Sequence, residues 1–469
     1  MMRPVLLALT FISALSAQTP DWTSINSETL KYFTDLVKID TSSPPGNETV
    51  AAQYVARVLE HEGIPSKLVG SDPKRQSLIA RLKGNGSKRP ILIMGHTDVV
   101  GVQRDKWAQD PFGAARIDGF IWGRGTLDDK DNLVASLMTV LLLKRAMLQS
   151  PALTLDRDVI FVAESDEEAG GALGIRELIQ NNWSEIEAEY CLAEAGGFSS
   201  RDGKVTHQTV QLGEKMPRQM KMTVQGIAGH GSQPREDNAI VHLSGAVARL
   251  GAWQPPMRLN DITRSYFELL PQVATPEDAQ RFKDLFNSAK SQDVQDYFRK
   301  NDIFNNSVLR TTISPNIIDG GFRANVIPSQ ASATLDVRAL PDEDMAKFQD
   351  QMRAIIADPT IKLEATGIQA QVSPPSKMDT EMYRTLGDVQ KRLYPGTVLI
   401  PSMSTGATDM RGLRSKGVMC YGIGSEVPKE DLLTHAVHSD NERIKESGLY
   451  QFVRYQYEVV RQIAAHAAQ

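Results

Sequence analysis

Three short apolar runs, each closing on an ionisable residue, limit the fold of this chain more than any other feature. They are PILIMG before His96, DVIFVA before Glu164 and EYCLA before Glu194. Runs this apolar read as strands buried on both faces, the mark of a parallel sheet covered by helices. Segments of helical period lie around them, at Glu28 to Lys38, Val50 to Glu62, Asn132 to Leu148 and Gly174 to Asn181. The alternation predicts an α/β fold with a largely parallel central sheet.

The pattern changes near Met216, where QMKMTVQG alternates instead of running apolar. A helix-like segment (Ala239 to Leu250), a polar helical stretch (Pro276 to Lys300) and strands near Val308 and over Ala331 to Arg338 follow. A helix over Asp344 to Ala357 and a strand over Ile361 to Val372 close the series. The order β-α-β-β-α-β, with an insertion, predicts a ferredoxin-like α+β domain at 216–374, set into an α/β domain made of 18–215 and 375–469. A chain of 469 residues is long enough for two cores.

Arg3, the apolar run Val5 to Leu15, and small residues at Ala14, Ser16 and Ala17 that offer a cleavage site read as a secretory signal peptide at 1–17 and predict an exported protein. The run is too short to span a bilayer as a helix. The net charge of −5 comes without a basic stripe, which argues against nucleic-acid binding. The two cysteines, Cys191 and Cys420, cannot make a disulfide framework or a thiolate metal site.

Four places at the ends of apolar runs can carry chemistry, and ligands bind at such ends in open α/β sheets. In GHTDVV, His96 and Asp98 point to one side of an extended chain. In WGRGTLDDKDN, Gly123 and Gly125 permit a turn, and Asp128 and Asp129 then open a helix; either could cap it. Asp131 is expected on the solvated face of that helix. In VAESDEEAGG, Glu164, Asp166, Glu167 and Glu168 follow a strand, and an adjacent Glu pair can split into a metal ligand and a proton carrier. Glu194 closes CLAEAGG. Late in the chain, LTHAVHSDNERI adds His435 and His438, two of only 8 histidines. Taken singly, each place has a plain structural reading. Together they form a hard N/O donor set without thiolate, suited to Zn²⁺ or a similar ion, and to two ions about 3.5–4 Å apart if one carboxylate bridges.

The stretches GHTDVV, WGRGTLDDKD, SDEEAGG, LAEAGG, GIAGHGSQP, NVIPSQASATLDVR and HSDNERI, in this order, resemble the M20 metallopeptidase family over almost all of the chain after the leader. The WGRGTLDDK form most resembles its carboxypeptidase S and aminoacylase branch. The resemblance implies a zinc-peptidase-like catalytic domain with an inserted lid and dimerisation domain. It implies two zinc ions, with Co²⁺ or Mn²⁺ as alternatives, held by His96, Asp128, Glu168, Glu194 and His438. Asp128 would bridge, and the pairing of the other ligands stays open. Glu167 would be the general base and then the acid, Asp98 would orient His96, and Asp129 would follow Asp128 through a peptide that is often cis. From the lid, His230 would stabilise an oxyanion, often across a dimer interface. Asn325 and Arg338 would bind substrate, the arginine clamping a carboxylate. Gly406 in STGATD would line the pocket, although this chain has Gly-Ala where many members have Gly-Gly. His435 is expected to be an ordinary neighbour. The implied activity is hydrolysis of amide bonds in short peptides, near the C terminus, or in N-acyl amino acids. A homodimer through the inserted domain is a further implication. The competing readings are a co-catalytic aminopeptidase, which needs a site for a free α-amino group, and an inactive ligand-binding relative, against which an intact Glu167 speaks.

Overall fold

The computed structural model describes residues 20–150, 153–432 and 434–467. The signal peptide expected at 1–17 lies outside the described residues. The three apolar runs form the strands Ile91–His96, Val159–Glu164 and Tyr190–Ala193, buried at every position. With Met419–Gly422 they make a parallel centre in the spatial order Val159–Glu164, Ile91–His96, Tyr190–Ala193, Met419–Gly422. Six more strands extend it to ten, among them Ser77–Leu82 on one side and the long Lys204–Glu214 on the other, both joined to the centre antiparallel.

Both faces of the centre are covered, as unbroken apolar runs require. On one face Ile91, Ile93, Phe161 and Leu192 pack with Leu133, Leu137 and Leu141 of the helix Lys130–Gln149 and with Phe452 and Val459 of the helix Glu446–Ala464. On the other, Leu92, Met94, Ile160, Val162 and Cys191 meet Ile175, Leu178, Met410 and Leu413. The helix Lys130–Gln149 is buried at every residue from Lys130 to Leu143. Asp131 therefore does not lie on a solvated face. It is 2% exposed, and a carboxylate oxygen accepts the Ser425 N–H at 3.3 Å. The first turn of this helix lies under the functional edge of the sheet, so its polar residues turn inward.

Met216–Gln225 begins a second, wholly antiparallel sheet with Thr312–Gly320, Gln330–Ala339 and Ile361–Gln369. Numbered along the chain, its strands lie 4-1-3-2, the ferredoxin-like order. The helices Ala239–Ala252 and Met345–Ile356 share its core through Leu243, Phe348 and Met352, against Met220, Met222 and Val224. The strand expected near Val308 starts at Thr312; Val308 ends the helix Ile303–Val308, which Asp302 caps through the Asn305 N–H. The insertion forms four helices, Asp261–Leu269, Pro276–Asp284, Ser291–Asn301 and Ile303–Val308. Their Phe267, Phe282 and Phe298 rings sit 6.0–6.1 Å apart and join the core of the large sheet, not that of the small one. Among the described residues no helix is long and apolar enough to cross a membrane.

Candidate active site

His96, Glu164 and Glu194 end or follow three adjacent parallel strands, so they gather at one edge of the sheet. Gly95 lets the helix Lys130–Gln149 come close, since a Cβ there would lie 2.5 Å from the Leu133 nitrogen. That approach sets Asp128 against His96. The Asp128 Oδ1 lies 2.9 Å from His96 Nε2, and its Oδ2 lies 3.0 Å from His438 Nε2. Glu194 is 3.8 Å from the same His96 nitrogen, and Glu168 is 3.1 Å from that of His438. Asp128 thus stands between two donor groups, His96 with Glu194 and His438 with Glu168. The sequence left this pairing open.

The neighbouring aspartates have distinct tasks. Asp129, joined to Asp128 by a cis peptide, occupies the N-cap position of its helix yet makes no capping bond. Its carboxylate instead accepts the His96 main-chain N–H at 3.1 Å and the Asn132 amide at 2.7 Å. Asp98 meets the His96 ring through its main-chain carbonyl, 2.9 Å from Nδ1, with its carboxylate 3.6 Å away. A carbonyl only accepts, so Nδ1 carries the hydrogen and Nε2 is left to face Asp128. The Asp98 carboxylate accepts the N–H groups of Glu167 and Glu168 at 3.1 and 3.0 Å.

Protonation shows what this cluster lacks. Burial, then the nearby Asp409, pushes Glu167 up to about 9. Burial, then Glu167, raises Glu194 well above the carboxylate range. Hydrogen bonds donated to the carboxylates of Asp128 and Glu168 carry His438 up to about 10. For His96, burial pulls the other way, but Asp128 and Asp98 still lift it well above its ordinary value. Acids and bases that both hold extra protons mark a site short of positive charge. Divalent cations supply that charge, and a set of imidazoles and carboxylates with no thiolate fits zinc, cobalt or manganese. Two overlapping groups have ligand atoms within 4.8 Å of one another, His96 with Asp128 and Glu168, and His96 with Glu167 and Glu194. The 3.1 Å contact of Glu168 with His438 and the 3.8 Å approach of Glu194 to His96 favour the grouping His96 with Glu194 and His438 with Glu168, with Asp128 touching both histidines.

Several residues that shape the site carried no role in the sequence reading. Glu442, wholly buried in HSDNERI, accepts from Arg124 at 2.7 Å and from the Gly125 and Leu127 N–H groups at 3.2 and 2.7 Å. It ties the turn before Asp128 to the loop of His438. Its place inside a recognised motif was the available signal. Glu164 is buried with neither carboxylate oxygen hydrogen-bonded among the described residues, beside Asp409, which burial pushes up to about 6. His435 stacks edge-on to Trp122 at 5.2 Å and bonds the Asn441 carbonyl, away from the donor groups.

The other candidate residues bond to partners outside this cluster. His230 is exposed and pairs with Val326 beside Asn325, whose carbonyl accepts the Gly231 N–H at 2.8 Å. The His230 Nδ1 accepts the Ser232 N–H at 3.2 Å, which makes Nε2 the donor end of the neutral ring. Arg338 is paired with Asp336 at 2.9 and 3.1 Å. Gly406 is exposed, and a Cβ there would meet only Ser404 Oγ at 3.6 Å, so the protein itself does not demand glycine at this point. Among the described residues none of these four has a hydrogen bond or ion pair to the donor groups.

A family model described as peptidase family M20/M25/M40 matches residues 92–462. The N-fatty-acyl-amino acid synthase/hydrolase of Homo sapiens is 26% identical over 447 residues, 92% of this chain and 87% of the relative. An M20 family metallo-carboxypeptidase from Sulfolobus solfataricus shares the fold with a TM-score of 0.66 at 19% identity, over 92% of this chain and 98% of that one. A dinuclear metal binding peptidase from Bacillus subtilis matches with a TM-score of 0.61 at 16% identity, over 94% of this chain and 99% of that one.

Proposed function

The chain belongs to the M20/M25/M40 peptidase family, a group of metal-dependent amide hydrolases, and from that premise we propose that it hydrolyses N-acyl amino acids or short peptides that end in a free carboxylate. One observation carries the reading. Asp128 reaches both donor groups, one oxygen to each, with the half-buried Glu167 beside them. We assign His96, Asp128 and Glu194 to one divalent ion and His438, Asp128 and Glu168 to a second, with zinc the first candidate. The dinuclear solved relative supports this count. Two such ions, once bound, lower the pKa of water and polarise an amide carbonyl. Glu167 takes the proton of the attacking water and delivers it to the leaving nitrogen.

Arg338 is the group we assign to the substrate carboxylate, in competition with Asp336. The free Nε2 of His230 suits an oxyanion, and Asn325 stands on the adjoining strand. That none of them bonds to the donor groups among the described residues suits a lid that closes over substrate, or a second copy of the chain that supplies His230 across a dimer. The leader pattern at 1–17 supports export to the periplasm or medium, which N-terminal sequencing of the mature protein checks. The main test is a panel of dipeptides and N-acyl amino acids, N-blocked and unblocked, assayed with and without chelator. Chelator-sensitive turnover that requires a free substrate carboxylate is expected. No turnover of any member rejects the reading, and a strict need for a free α-amino group replaces it with an aminopeptidase.

A further inference from the structure

Asp166 stands directly before Glu167 and holds φ at +71°, a left-handed conformation unfavourable for a residue with a Cβ. The surroundings over-determine it. Its carbonyl accepts the Gly171 N–H at 2.6 Å and its Oδ2 the Leu173 N–H at 2.7 Å. Its Oδ1 lies 2.7 Å from Nη1 of Arg75. Arg75 belongs to no motif singled out above and touches no proposed ligand. The other side of its guanidinium holds the wholly buried Glu48, with Nε and Nη2 at 2.9 and 2.6 Å from Oε1, and Nη2 also donates to Ser43 Oγ at 3.1 Å. Gly46 makes the space, since a Cβ there would lie 2.3 Å from Arg75 Nε. The Arg75 carbonyl in turn accepts the Ser165 hydroxyl at 2.9 Å.

The side chains of Ser165 and Asp166 are therefore tied to Arg75, one to its main-chain carbonyl and the other to its guanidinium. The turn at Asp166 aims the N–H groups of Glu167 and Glu168 at Asp98. We infer that Arg75 is a positioning residue which, through Asp166, sets the direction of the proton carrier Glu167 and the ligand Glu168. The inference rests on the hydrolase reading above. A fork is needed because one cation must hold two buried carboxylates at once, which an ammonium point charge does less well.

The test uses the full chain and inorganic zinc, with affinity read by calorimetry beside turnover of an N-acyl amino acid and the melting temperature of the metal-free protein. R75M and D166N are each expected to weaken zinc binding and lower kcat by about 10–100-fold, the usual effect of removing a partner that orients a ligand. KM should stay near the parent value. The double variant R75M/D166N should be no worse than the worse single one, because both break the same contact. R75K, which keeps the charge and favours folding, should recover little of the loss. Zinc affinity and kcat within about twofold of the parent in folded R75K and D166N, or fully additive losses in the double variant, overturn the inference. A parent protein that binds zinc but hydrolyses nothing defeats the hydrolase reading alone, and the affinities still decide the role of Arg75.

Discussion

Burial and the carboxylates around it push Glu167 up to about 9, so it can serve as a base only where positive charge is supplied. Its replacement separates binding from chemistry. Glu167→Gln should retain divalent ions while kcat falls by about 10²–10⁴-fold, the range general-base catalysis supplies; loss of metal, or near-normal turnover, rejects the assignment. Asp128→Ala should lose both metal and activity, because both donor groups lose their shared member. Asp131, three positions on, differs in kind. It is buried and accepts the Ser425 N–H, so Asp131→Ala should leave that donor unpaired and lower stability by about 1–3 kcal/mol. Zinc affinity should stay near the parent value. Calorimetry and thermal melts on the same variant check both halves.

At the scale of elements, the site depends on how two distant loops are joined. The turn Gly123 to Asp128 and the loop around His438 are joined by the buried pair Arg124 and Glu442, by the Gly125 and Leu127 N–H groups on Glu442, and by Asp128 on His438. Glu442→Ala strands a buried guanidinium and frees two N–H groups, so it should cost about 3–5 kcal/mol. Zinc binding should weaken with it, since both Asp128 and His438 lose their seat; unchanged zinc affinity in the folded variant rejects the link. The motifs named most of these segments but not their internal ties. His96 and Glu194 were legible because each closes an apolar strand. Asp131 was misplaced because a helix start rich in Asp, Asn and Lys looks solvated, and hydropathy cannot register that this turn lies under other charged groups. The strand near Val308 was placed four residues early because the capped helix Ile303–Val308 is too short to show a period.

For the whole molecule, a metal-dependent site made of mutually repelling carboxylates should cost stability when bare. Zinc at 100 times its Kd should raise unfolding stability by about 2.7 kcal/mol through binding to the native state alone. Chelator should reverse this, and a melting temperature indifferent to both argues against a built metal site. The insertion matters at this scale too. Its four helices bury Phe267, Phe282 and Phe298 in the core of the large sheet, while the chain on either side of it runs into the small sheet. It therefore braces the connection between the two sheets.

The sequence by itself determined the layered fold and named the candidate donors. Unbroken apolar runs must be covered on both faces, and strands so covered present their ends, with His96, Glu164 and Glu194, along one edge. It also determined the family, through motifs held in order. Tertiary structure alone decided which candidate donors touch, that Asp129 accepts the His96 N–H instead of capping a helix, and that Arg75 and Glu442 bond to the loops beside them. These contacts join residues far apart in the chain, such as Arg124 and Glu442, and hydrogen bonds at that separation leave no period or spacing in the sequence.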